Sequence, residues 1–134
     1  MTIVHERVLL DTSVVIDYPA GAVAAHAATA AVSTITLAEL SYGLHTRDPV
    51  LNAAREQRYH WITNTFDPIP FDASAARIYG ALCANVRAIG RDPKPRRFDL
   101  LIAAVAVALG IPLITRNGAE FSGIHGTLAI IAVG

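Results

Sequence analysis

The chain has 134 residues, 53% of them hydrophobic, and its 11 basic and 11 acidic side chains cancel to a formal net charge of zero. That length fits one domain with a sizeable core, and the apolar fraction excludes intrinsic disorder. The neutral balance excludes a whole-molecule field for a polyanion, so any attraction for nucleic acid is local.

The start, "MTIVHERVLL", lacks the positive region and long apolar stretch of a signal peptide. Residues 8–10 read as a first strand. Residues 19–31 form an Ala-rich helical stretch, 32–35 a second, β-branched strand, and a helix runs on from residue 37. Residues 49–64 read as another helix, and "DPIPFD" as a short strand between turn signals. Over 73–89 the apolar residues Ala75, Ile78, Tyr79, Leu82, Val86 and Ile89 recur at the spacing of one helical face. A loop, "GRDPKPRR", opens an apolar helix over 98–109, whose stop at "GIP" releases a strand over 113–115. The last strand is expected over 127–133. The alternation implies a single α/β domain over residues 1–134, with a central, mainly parallel sheet flanked by helices.

The longest apolar run, "LLIAAVAVALGIPLI", has 15 residues and carries Gly110 and Pro112. A membrane span needs about 20, so no membrane contact is expected. The single cysteine, Cys83, forbids an internal disulfide and falls on the apolar side of its helix. Both features fit a cytoplasmic protein, although the sequence does not exclude secretion.

Four polar positions interrupt apolar segments. Asp11 ends the first strand in "RVLLDTSVV", where another Val would pack better. Capping of a following helix by Asp11 or Ser13 is one explanation. In "TITLAELSYG", Thr36 and Glu39 have the spacing of a capping box. Asp99 stands in the first turn of the apolar helix, where the macrodipole favours an acid but burial without a cation or donor is costly. Asn117 follows the strand 113–115 in "LITRNGAEF", with Glu120 three residues on, and Asn-Gly is also a turn signal.

Each position has a structural explanation, yet all four fall at a strand's carboxyl end or in the helical turn after it. That edge is where parallel sheets collect ligands. Oxygen ligands alone suit hard cations such as Mg²⁺ or Mn²⁺. The five histidines, His5, His26, His45, His60 and His125, show no i, i+3 or i, i+4 spacing. With one cysteine they make zinc a poor fit.

Together "LLDTSVVID", "TLAEL" and "FDLLIAAVAVALGIPLITRN", with the lengths between them, resemble a PIN-domain ribonuclease of the VapC type, the toxin of bacterial toxin–antitoxin pairs. The likeness covers essentially the whole chain. It implies a compact three-layer PIN fold, Mg²⁺-dependent cleavage of RNA with Mn²⁺ as a substitute, and a cognate antitoxin as partner. It places the family's acids on Asp11, Glu39 and Asp99. The family's fourth position, often Asp, falls here on the neutral Asn117, and Glu120 is the nearest residue able to replace that charge. The expected roles are direct metal contact for Asp11 and Asp99, and water-mediated contact or orientation of the nucleophile for Glu39.

RNA phosphates need cationic partners. The loop 91–97 offers Arg91, Lys94, Arg96 and Arg97 against Asp92, and Arg116 lies beside Asn117. The helix "LAELSYGLH" and residues 49–66, with Leu51, Tyr59, Trp61 and Ile62, are the expected antitoxin surface. A homodimer and a toxin–antitoxin hetero-oligomer are expected on the same ground. Two other classes remain. A catalytically weakened PIN domain serving as an RNA- or antitoxin-binding module is compatible with Asn117. An α/β phosphatase or nucleotide-binding enzyme is opposed by the lack of a second Asp after "LLDTS" and of a Gly-rich phosphate loop.

Overall fold

The computed structural model describes residues 3–134. Strand β1 (His5–Leu10) runs into a short helix α1 (Thr12–Val15) and then α2 (Ala20–Ala24). Strand β2 (Ala27–Ser33) leads to α3 (Thr34–Tyr42), α4 (Pro49–Thr65) and the short β3 (Asp67–Ile69). Helices α5 (Ala73–Ala88) and α6 (Arg97–Leu109) precede β4 (Leu113–Thr115), and β5 (Ile130–Ala132) closes the chain. The sheet order is β3-β2-β1-β4-β5, and every pairing is parallel.

The first strand in sequence is therefore the central one. Val8 and Leu10 turn to one face and Leu9 to the other, and all three are fully buried, as a parallel strand covered on both sides requires. On Leu9's side lie α5 and α6, through Leu82, Val86, Ile102 and Val105. On the other lie Val14, Val23, Leu40 and Ile62 from α1 to α4. Each large aliphatic side chain so buried stabilises the fold by about 1.5–3 kcal/mol. Helix α6 is apolar almost all round because it is enclosed on most sides. It ends at Gly110, whose φ of +67° is the left-handed cap that glycine adopts without strain, and Pro112 then starts the chain towards β4.

Three expectations are corrected. The Ala-rich stretch does not stay helical to residue 31: residues 27–32 pair with β1 from His5↔Ala27 to Leu10↔Val32. A ladder partner along the whole segment outweighs alanine's helix propensity, which is a weak prior. The capping box also fails. Helix α3 starts at Thr34, and Ser33 is its cap, accepting from the Thr36 amide at 3.3 Å. The third helical position is then Thr36 itself, and Glu39 lies a turn further on, free of any capping duty. The last strand is shorter than expected, Ile130–Ala132 rather than 127–133.

Candidate metal centre

Chain order reverses at β1, which pairs with β2 on one side and β4 on the other. The connections leave these strands in opposite directions, which opens a crevice at their carboxyl ends. Asp11 stands at that point as the residue after β1, 2% exposed. It occupies the cap position of α1, yet its side chain makes no capping hydrogen bond. One carboxylate oxygen, Oδ2, accepts from Thr115 Oγ1 at 2.8 Å and from Ser13 Oγ at 2.9 Å. The other, Oδ1, is buried and has no hydrogen-bond partner.

An orphaned carboxylate oxygen is costly, since a buried unsatisfied polar atom loses about 1–3 kcal/mol, more when charged. Its partner oxygen is fixed by two donors, so the orphan is also aimed. The hydroxyls are held in turn: Thr115 Oγ1 accepts from the Asn117 amide at 3.0 Å, and Ser13 Oγ from the Arg116 amide at 3.2 Å.

Glu39 reaches the crevice from α3. Its Oε1 accepts from Thr12 Oγ1 at 2.8 Å, and the Thr12 and Thr36 hydroxyls lie 3.0 Å apart. A hydroxyl has one proton; with that of Thr12 on Glu39, Thr36 is the donor to Thr12. Burial raises the Glu39 pKa above its ordinary value, the Thr12 bond opposes this, and the Asp11 charge adds to the rise.

Asp99 enters from the first turn of α6, and its pKa is raised to about 6. Burial is the largest cause, followed by the charges of Asp11, Glu39 and Glu120, while Arg96 opposes the shift. These effects show that the three sequence-predicted acids and Glu120 share one electrostatic neighbourhood. They are not drawn into a closed shell: among the described residues no three His, Cys, Asp or Glu side chains are grouped closely enough to hold one cation as they stand. Glu39 and Glu120 are partly exposed side chains.

Asn117 is exposed, and its side-chain amide caps nothing. Glu120 is held in place instead. Arg96 Nε lies 3.2 Å from Glu120 Oε2, and Arg96 Nη1 donates to the Glu120 carbonyl at 2.9 Å. Among the candidate RNA contacts, Arg91, Lys94 and Arg97 are exposed on the loop before Asp99. The Arg97 guanidinium sits over the Phe98 ring, 5.5 Å from its centroid. Arg116 is placed differently: Nε, Nη1 and Nη2 donate to the carbonyls of Ser13, Gly134 and Asp17 at 3.1, 2.8 and 2.7 Å. The fork that the sequence offers to RNA is thus engaged by backbone carbonyls of the fold.

Sequence alone offers Ser13 and Thr36 only as caps and does not single out Thr12 or Thr115 as partners of the acids. The signal was a polar residue closing each apolar strand, as in "LLDTS" and "LIT". An all-oxygen donor set with a buried, unpartnered and aimed carboxylate oxygen fits a hard divalent cation. A cavity of about 580 Å³, lined by Arg7, Thr29 and Asp67 among others, contains none of these acids.

Residues 8–124 match the model of the PIN domain family. Over 96 residues the chain is 32% identical to the tRNA(fMet)-specific endonuclease VapC of Shigella flexneri, covering 71% of this chain and 69% of that protein. Over 106 residues it is 34% identical to ribonuclease VapC5 of Mycobacterium tuberculosis, covering 75% and 72%. Among solved structures, the VapBC-5 toxin–antitoxin structure from Mycobacterium tuberculosis superposes with a TM-score of 0.81 at 31% identity, over 95% of this chain and 98% of that one. A five-stranded parallel sheet between two helical layers, acids gathered at its central carboxyl edge and these likenesses together assign the chain to the PIN-domain family, in its VapC group.

Proposed function

We propose that this protein is a Mg²⁺-dependent endoribonuclease, active also with Mn²⁺, and the toxin of a toxin–antitoxin pair. The observation that carries the metal reading is Asp11: one oxygen immobilised by Thr115 and Ser13, the other buried and without a partner. Asp11 and Asp99 would hold the cation directly, and Glu39 through water. Glu120 supplies the acidic charge that Asn117 lacks. When bound, the metal neutralises charge on the phosphate and lowers the pKa of the attacking water. Glu39, fixed through Oε1, keeps Oε2 for orienting that water, and its raised pKa makes it a better proton acceptor than an ordinary carboxylate. Arg91, Lys94 and Arg97 supply phosphate contacts beside Asp99.

The antitoxin surface is placed on α3 and α4. Tyr42 is 88% exposed and Val50 79% exposed, unusual values for large apolar side chains. Of the residues expected there, Leu51 and Trp61 are 40% and 44% exposed, whereas Ile62 is fully buried in the core and is withdrawn from that surface; the superposed VapBC-5 is a member of a toxin–antitoxin family. A homodimer and a hetero-oligomer with antitoxin follow from the same family reading. The neutral, exposed Asn117 favours a second reading, a weakened PIN domain that binds RNA or antitoxin without cutting. Incubation with cellular RNA decides between them. Cleavage in Mg²⁺ that stops with EDTA and returns with Mn²⁺ supports the nuclease. Antitoxin binding without cleavage in any divalent cation supports the binding module.

A further inference from the structure

Arg116 looks in sequence like an RNA contact, and its surroundings say otherwise. Three of its five guanidinium N–H donors are on backbone carbonyls from two parts of the chain: Ser13 in the first turn of α1 with Asp17 just after that helix, and Gly134 beyond β5. Asp17 has a φ of +54°, the left-handed region that non-glycine residues seldom enter, so the carbonyl there is presented by a turn that needs external support. The backbone of Arg116 meets the same segment, its amide donating to Ser13 Oγ at 3.2 Å. Ser13 Oγ then donates to Asp11 Oδ2 at 2.9 Å. Main chain and side chain of Arg116 thus grip Ser13 from two sides, and Ser13 is one of the two groups that fix the Asp11 carboxylate.

We propose that Arg116 is a positioning residue of the metal centre: its guanidinium clamps the Ser13–Asp17 segment so that Ser13 holds Asp11 Oδ2 and Oδ1 faces the cation. The proposal rests on the metal reading of Asp11. It assigns Arg116 to metal affinity and removes it from the groups that grip RNA. A lysine keeps the charge but lacks the planar fork that reaches several carbonyls at once, so charge and geometry are separable at this position.

The test uses the full chain and two measurements that do not depend on turnover. Mn²⁺ affinity is read by titration in a paramagnetic resonance or calorimetric experiment. Affinity for a single-stranded RNA oligonucleotide is read in EDTA at two salt concentrations. Loss of groups that orient a metal ligand typically costs 10–100-fold in metal affinity. Arg116→Ala, Arg116→Lys and Ser13→Ala are each expected to weaken Mn²⁺ binding about tenfold or more, with RNA affinity and its salt dependence in EDTA unchanged. Because the effect passes through Ser13, the Arg116→Lys/Ser13→Ala double variant is expected to be no worse than the weaker single variant. Should Arg116→Ala fail to fold, Arg116→Lys and Ser13→Ala carry the same comparison. Unchanged Mn²⁺ affinity in Arg116→Lys and Ser13→Ala, when Asp11→Asn loses it, overturns the positioning role alone. Wild-type Mn²⁺ affinity in Asp11→Asn overturns the metal reading and this proposal with it. A fall in RNA affinity in EDTA on Arg116→Ala, with metal affinity intact, returns Arg116 to the RNA surface.

Discussion

Thr115 Oγ1 donates a 2.8 Å hydrogen bond to Asp11 Oδ2, joining the carboxyl ends of β4 and β1 across a sequence separation of 104. The same hydroxyl accepts the Asn117 amide, so one buried side chain fixes the central acid and begins the turn that carries Asn117 and Glu120. Thr115→Val keeps the shape and removes both bonds. The expected outcome is a loss of about 1–3 kcal/mol in stability, from the unpaired groups left behind, and a tenfold or greater rise in the Mg²⁺ concentration needed for half-maximal cleavage. Denaturant unfolding and a Mg²⁺ titration check the two effects.

Asp11→Asn separates metal binding from capping. Asn caps a helix nearly as well as Asp, and Asp11 makes no side-chain cap in any case. The substitution also relieves the charge repulsion that helps to raise Glu39 and Asp99. Cleavage should fall by about 100-fold or more, while the melting temperature in EDTA holds or rises. A drop in melting temperature with cleavage intact would contradict the assignment.

The acids also set a pH dependence. Asp99 binds its proton more tightly in the folded state, with a pKa of about 6 against an ordinary 3.8. Between those values the folded state holds more protons than the unfolded, so metal-free stability falls as pH rises from about 4 to 6 and stays lower above. Asp99 is only partly buried; allowing for solvent screening, the loss is about 1–2 kcal/mol. Glu39 is shifted in the same direction. Melting temperatures in EDTA across this range should decline, and Asp99→Asn should flatten the decline. Protons and metal compete for Asp99, so the half-saturating Mg²⁺ concentration should fall as pH rises through 6.

At the fourth position, Glu120→Gln should weaken metal binding because it removes a charge that Asp99 senses, and Asn117→Asp should strengthen it by restoring an acid at the crevice. Combining the two substitutions should bring the affinity back towards wild type. Direct titration with Mn²⁺ measures all three variants. Equal affinities throughout would show that neither residue contributes.

On the basic loop, Arg91→Ala and Lys94→Ala should each weaken RNA binding in EDTA. The slope of log affinity against log salt should become shallower by about 0.7 per lost phosphate contact on a single strand. Metal affinity should not move.

Much of this architecture is legible in the sequence where an element's neighbours are apolar. Strand β4 falls where "LIT" predicts it, and α6 ends at the "GIP" stop, because continuous burial writes a continuous apolar run. Residues 27–31 read as helix in sequence because alanine suits either state and the deciding partner, β1, lies some twenty residues away in the chain. Asp11, Glu39 and Asp99 stand out as acids in apolar settings. Thr115 does not, and Arg116 stands out only as a charge beside Asn117, because their partners lie about a hundred residues away and no local pattern marks the pairing. A threonine at a strand end and an arginine in a turn are ordinary until the crevice is assembled.

The central position of β1 has a consequence during synthesis. The strand is made first, and its neighbour β2 follows directly, yet its other edge stays open until residues 113–115 have been made. Non-local pairing of this kind delays folding, because a long loop must close before its contacts form. Asp11 therefore leaves the ribosome long before Thr115 exists to orient it, and Asp99 and Glu120 arrive late as well. A nascent chain that stops short of Thr115 has its first acid but no finished crevice, so the centre can form only once β4 and the turn carrying Glu120 have been translated.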